Sequence, residues 1–161
     1  MNKFIAVLLL MISTLPFGTS ALADFEKGLD AYDREDYATA LREWKTLAEK
    51  GDPVSQYNLG VMYRMGNGVA KDDKEALKWY RLAAYQGNAG SQFLLGYMYS
   101  NGIGVPQSNL RAHMWVNLAA SQGVEAAENE RDNLAKQMTS EDIGLAQQMA
   151  RECVARNYKG C

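Results

Sequence analysis

Basic side chains never gather in this chain. No run of Lys or Arg occurs along its 161 residues, and 19 acids outnumber 17 bases, a formal net charge of −2. Affinity for nucleic acid comes mainly from neutralising phosphates, so this charge pattern argues against such a partner. Histidine is nearly missing, with His113 alone, and cysteine is limited to Cys153 and Cys161. One imidazole and two thiols without a C-x-x-C spacing supply neither a zinc site nor a redox pair. No Ser or Cys is marked as a nucleophile for His113, which reads as a half-exposed helix residue. No metal and no cofactor is expected. Only one long apolar run is present, Phe4 to Ile12, and nothing like it recurs downstream. It is short for a membrane span, so no insertion is expected once it is removed.

That run has the marks of an export signal. Lys3 precedes it, Pro16 and Gly18 break it, and Ala21-Leu22-Ala23 offers small residues for cleavage, with Asp24 as the new N-terminus. Residues 1–23 therefore read as a signal peptide and 24–161 as one domain, periplasmic or secreted. Losing Lys3 leaves 16 bases and 19 acids, a formal charge of −3. Asp24 to Asp36 holds six of those acids against Lys27 and Arg34, the pattern of a solvated face. Two cysteines in an exported chain predict one disulfide, Cys153–Cys161, with Asn157 to Gly160 turning the chain back.

The middle of the chain repeats itself. Asp52–Gly87 and Asn88–Gly123 are both 36 residues long and align without a gap, identical at 16 positions. A fixed period of this length is the signature of stacked repeats. Ser55, Leu59, Met62, Tyr63 and Gly66 form one helical stripe, and Ala76, Trp79 and Ala83, widened by Leu82, form another. Each repeat is predicted to be two amphipathic helices. A lone pair cannot bury both stripes, so the pairs must stack into an all-α solenoid. Small shared residues, such as Gly60 and Gly96, permit close approach, and Trp79 and Trp115 fill the space between layers.

"GNGV" (Gly66–Val69) and "GIGV" (Gly102–Val105) pose a choice between a phosphate loop and a turn. A dinucleotide fingerprint follows a strand and carries a third glycine, and a Walker loop carries its lysine. Neither condition is met. Glycine after a helix supplies the left-handed backbone that ends it, and Asp72 and Ser108 suit the N-cap of the next helix. Gly51, Gly87 and Gly123 are the matching stops after each second helix. The register extends outward, since Ala40, Trp44 and Gly51 stand 36 residues before Ala76, Tyr80 and Gly87. Residues 24–51 thus form a tighter helix pair with "YDREDY" as its turn. Residues 124–161 hold a helix near Glu125–Gln137 and a last one opened by a capping box at Thr139. Ile143, Ala146, Met149, Ala150, Cys153 and Val154 line one side of that last helix.

The ordered set Leu-Gly, Tyr, Gly-x-Gly-Val, Ala, Trp, Ala-Ala and Gly, occurring twice, resembles the Sel1-like repeats, relatives of the tetratricopeptide repeats. The resemblance covers 52–87 and 88–123 strongly, with 24–51 closer to a tetratricopeptide unit and 124–161 a degenerate end unit. It implies a right-handed αα superhelix of about four helix pairs whose first helices line the concave side. It also implies a scaffold or adaptor for a protein or peptide partner, in envelope signalling or host interaction, in a monomer or weak oligomer. Positions that differ between the repeats are free of the shared packing stripe. Tyr57, Val61, Arg64 and Met65, with Phe93, Tyr97 and Asn101, are therefore the candidate partner-binding residues. Packing within the superhelix is the competing account of Tyr57, Phe93 and Tyr97. The alternative functions are a cell-wall hydrolase or a β-lactam-binding protein of the cysteine-rich Sel1-like type, although this chain has no cysteine inside its repeats. No catalytic residue is assigned.

Overall fold

The computed structural model describes residues 17–161. The apolar run of the expected signal peptide lies outside the described residues. Eight helices follow one another among the described residues: α1 (Phe17–Asp33), α2 (Tyr37–Glu49), α3 (Pro53–Met65), α4 (Asp73–Ala84), α5 (Ala89–Asn101), α6 (Asn109–Ala120), α7 (Glu125–Ala135) and α8 (Ser140–Ala155). They make an all-α superhelical repeat. α1 packs on α2, α3 on α4 and α5 on α6, while α2–α3 and α4–α5 contacts join one pair to the next. The fourth unit departs from the simple pairing expected, because α7 and α8 both pack against α6.

Side-chain caps set the helix starts. Asp52 accepts from the Ser55 N–H at 2.7 Å, and its repeat partner Asn88 accepts from the Ser91 N–H at 2.8 Å. Asp72 accepts from the Lys74 and Glu75 amides, and Ser108 from Arg111. The Thr139 hydroxyl accepts from the Asp142 N–H and donates to the Asp142 carboxylate. That is a local cap rather than the reciprocal backbone bond of a full capping box.

The glycine motif is a turn. Gly66 and Gly102 end α3 and α5 in the left-handed conformation, at φ 78° and 67°. The second glycine has a different duty. A Cβ on Gly104 would lie 2.7 Å from the Asp73 carbonyl oxygen, and one on Gly68 would lie 2.6 Å from Tyr37 Cβ. Each loop therefore presses against the first residue of the preceding unit's second helix. Val69 and Val105 fold in beneath it, half-buried against the core.

Packing follows the same period. Gly28, Gly60 and Gly96 face Trp44, Tyr80 and Val116 respectively, three side chains spaced 36 residues apart and all buried. Burying each of these side chains contributes about 1.5–3 kcal/mol. Two glutamines per repeat tie successive pairs together. Gln56 donates to the Ala48 carbonyl and accepts from Gln86 at 2.8 Å, and Gln92 donates to the Ala84 carbonyl and accepts from Gln122 at 2.7 Å. Gln56 and Gln92 are buried, and each both donates and accepts, as an interior polar group requires.

Three expected burials change. Leu82 and Val154 are exposed rather than part of an inner stripe, and Trp79 is only half-buried, whereas Trp115 is fully inside. His113 moves the other way. It is buried at 1% exposure, not half-exposed, because it takes the inward position that Leu77 holds one repeat earlier.

Candidate functional site

The first helices of the two repeats, α3 and α5, carry the seven candidate residues. Spacings of four, seven and eight place Tyr57, Val61, Arg64 and Met65 along one side of α3. Phe93, Tyr97 and Asn101 occupy the matching side of α5. One direct contact joins the two sets: the Arg64 guanidinium lies over the Tyr97 ring, 5.0 Å from its centroid. A cation held this way on an exposed aromatic is an amphipathic platform spanning two repeats.

Three surface depressions divide the rest. Tyr57 and Val61 share one of about 230 Å³ with Leu29 and Tyr32 of α1. Arg64 and Met65 border a second of about 280 Å³, together with Lys71, Asp73 and Ile103. Tyr97 and Asn101 border a third of about 380 Å³, with Gln107 and Glu130 opposite. Met65 is 65% exposed and Tyr97 is 36% exposed. Tyr57, Val61 and Phe93 are half-buried against the core. Tyr57 also packs 6.1 Å from the Tyr80 ring and against Gly90. Met65, Tyr97 and Asn101 thus present the freer surface, whereas Arg64 is half-buried and its Nη1 is enclosed without a protein partner. The Asn101 amide is partly engaged, donating to the Tyr97 carbonyl at 2.8 Å and to Ser100 Oγ at 2.9 Å.

Leu29, Tyr32 and Glu130 line these depressions without having been singled out from the sequence. All three sit in the outer units, where comparison of the two clear repeats does not reach. Tyr32 is itself positioned by the turn, since Asn67 donates to its hydroxyl at 2.8 Å.

Burial shifts two titratable groups inside the fold. Burial pushes the Tyr80 hydroxyl well above its ordinary range, against the opposing pull of Arg64, so it stays protonated. Burial is also the main cause that lowers the His113 pKa, reinforced by Arg131 and opposed by Asp132. Its Nδ1 has no protein partner. Among the described residues, no three His, Cys, Asp or Glu side chains come together as metal ligands would. No helix among them is long and apolar enough to cross a membrane.

The two cysteines form a disulfide, Cys153–Cys161, with Cα atoms 5.4 Å apart. It closes a loop outside both 36-residue repeats and carries Tyr158 onto Gly87, where an added Cβ would lie 3.0 Å from the Tyr158 ring.

Comparison with known proteins gives the same picture. The family model described as Sel1 repeat matches twice, at residues 53–88 and 89–124. The structure is similar to a Sel1 repeat protein from Oxalobacter formigenes, with 34% identity and a TM-score of 0.65 over 70% of this chain and 88% of that one. It is also similar to c5321, a protective antigen of uropathogenic Escherichia coli displaying an SLR fold, with 27% identity and a TM-score of 0.78. That match covers 86% of this chain but only 31% of the antigen, so the chain spans about a third of its length. No curated protein matches.

Proposed function

Because the chain belongs to the Sel1 repeat family, whose repeats generally mediate protein–protein interactions, we propose that it is an exported scaffold gripping a protein or peptide partner along α3 and α5. The observation that carries this reading is the Arg64–Tyr97 contact, beside exposed Met65. These residues differ from their counterparts in the other repeat, and Met65 and Tyr97 lie outside the buried core. An aromatic face, an adaptable thioether and a guanidinium are the side chains that anchor interfaces. Tyr57, Val61 and Phe93 back this platform, and Asn101 adds polar capacity at its far end. The partner is a polypeptide segment offering an apolar side chain to Met65 and Tyr97 and a hydrogen-bond acceptor to Arg64.

The Cys153–Cys161 bond supports export, since such bonds persist in oxidising compartments. Periplasm or secretion, with cleavage after Ala23, is the location this reading assigns.

The test is capture of partners from an envelope extract by the mature chain, by Tyr97→Ala and by Arg64→Ala, with helicity checked by circular dichroism. Either truncation is expected to weaken capture by about tenfold or more, the usual cost of losing an interface anchor. Equal capture by folded wild type and both variants would remove this face from consideration.

A further inference from the structure

Tyr99 lies two residues beyond Tyr97, and two residues turn a helix by about 200°. It therefore faces away from the α3–α5 platform, toward α4 and α6. There it meets two arginines. Arg81 of α4 donates to the Tyr99 hydroxyl at 2.8 Å, and Arg111 of α6 donates to the same oxygen at 3.4 Å. Both guanidinia also sit near the Tyr99 ring, at 6.0 and 5.6 Å from its centroid. Tyr99 is 4% exposed, Arg81 is half-buried and Arg111 is exposed.

Two like charges converging on one neutral oxygen repel each other. Neither arginine takes part in the ion pairs formed among the described residues. The Tyr99 hydroxyl accepts in both of its hydrogen bonds here, and its own proton remains available to donate.

The sister repeat supplies the control. Tyr63 corresponds to Tyr99, Lys45 to Arg81 and Glu75 to Arg111, each 36 residues earlier. In that repeat the third position is an acid, bonded to Lys78. The corresponding positions 36 residues earlier thus carry one cation and one anion, and the anion is paired with Lys78. The second repeat keeps the tyrosine, replaces Lys by Arg, and reverses the sign of the remaining position.

We propose that Arg81, Tyr99 and Arg111 form an oxyanion-binding site, taking a carboxylate or phosphoryl group from outside the chain. Two guanidinium forks and a phenol proton match the lone pairs of such a group, and charge-assisted bonds of this kind are the strong ones. The site is separate from the α3–α5 platform and stands or falls independently of it.

The experiment uses the mature protein and three probes: inorganic phosphate, acetate, and a short neutral peptide carrying one glutamate. All are titrated at constant ionic strength against chloride. The readouts are the Nε–Hε resonances of Arg81 and Arg111 and the melting temperature. A saturable shift of both resonances is expected with at least one probe, together with a rising melting temperature. Phosphate alone acting points to a phosphoryl ligand. Acetate or the peptide acting points to a carboxylate, with tighter binding of the peptide marking a side chain as its source. Arg81→Gln is expected to weaken binding by about tenfold or more. Arg111→Glu restores the sister repeat's residue, so it is expected to fold. It should melt no lower than wild type in chloride, yet below wild type in saturating ligand. No saturable shift with any probe overturns the proposal. So does an Arg111→Glu variant that melts lower than wild type by the same amount in chloride and in ligand, because the arginine is then only a packing element.

Discussion

His113 occupies an inward-facing position that Leu77 fills in the sister repeat, and its Nδ1 has no protein partner. A buried, unpaired polar atom costs about 1–3 kcal/mol. His113→Leu is therefore expected to raise stability by about 1 kcal/mol, read from urea unfolding at neutral pH. The pH dependence follows from the lowered pKa. Above the ordinary value of 6.5 the imidazole is neutral both folded and unfolded, and its effect on stability is constant. Below that value the unfolded chain takes up a proton that the buried side chain resists, so stability falls as pH drops. Wild type is thus expected to lose stability between pH 7 and pH 5 faster than His113→Leu. Parallel slopes would show that His113 does not titrate against folding. The repeat alignment already paired His113 with Leu77, but a lone polar residue carries no sign of its own burial, and its polarity argued for the surface.

At the scale of elements, the connections carry as much information as the helices. Gly104→Ala forces a side chain into a left-handed backbone and against the Asp73 carbonyl. A loss of about 1–3 kcal/mol is expected, measurable by chemical denaturation. Gly123→Ala, at φ 84° but with nothing within 4 Å of an added Cβ, is expected to cost less. The turn itself was legible in the sequence, because glycine followed a helical stripe and preceded a capping residue. Its second role was not, because Tyr37 and Asp73 lie in the preceding unit, and local spacing says nothing about a neighbour. The platform divides the same way. Arg64 and Tyr97 stood out as departures from the repeat, but their contact across two units depends on the stacking offset. The C-terminal hook gives another test at this scale. Replacing Cys153 and Cys161 by Ser is expected to cost about 2–3 kcal/mol for a loop of this size, and to free Tyr158 from Gly87. Thermal melts, with amide exchange at Gly87, check both effects.

For the whole molecule, the all-α repeat architecture was legible because one chain carried its own alignment. The ends were less so. α8 lies on α6 rather than closing a fourth regular pair with α7, and no internal copy existed to compare it with. The reading of export makes a prediction at this scale. Protein recovered from its native compartment is expected to begin at Asp24 and to have a mass two hydrogens below that of residues 24–161 with free thiols. A retained Met1 would contradict export by cleavage. α1 runs through Phe17–Asp33, so a cut after Ala23 shortens it from the front while leaving its contact residues Phe25, Ala31 and Tyr32 in place.

The loop glycines press on the unit before them, the glutamines reach the carbonyl of the unit before them, and each of these contacts recurs 36 residues further along the chain. A chain spliced from Gly51 directly to Asn88 would therefore meet familiar surfaces: Gly104 would rest on Tyr37, Gln92 would find the Ala48 carbonyl, and Tyr158 would fall on Gly51. The molecule can be shortened, and by the same logic extended by inserting another copy, without inventing a new joint. Only whole 36-residue lengths preserve this property; a splice of any other size leaves every downstream loop facing the wrong neighbour.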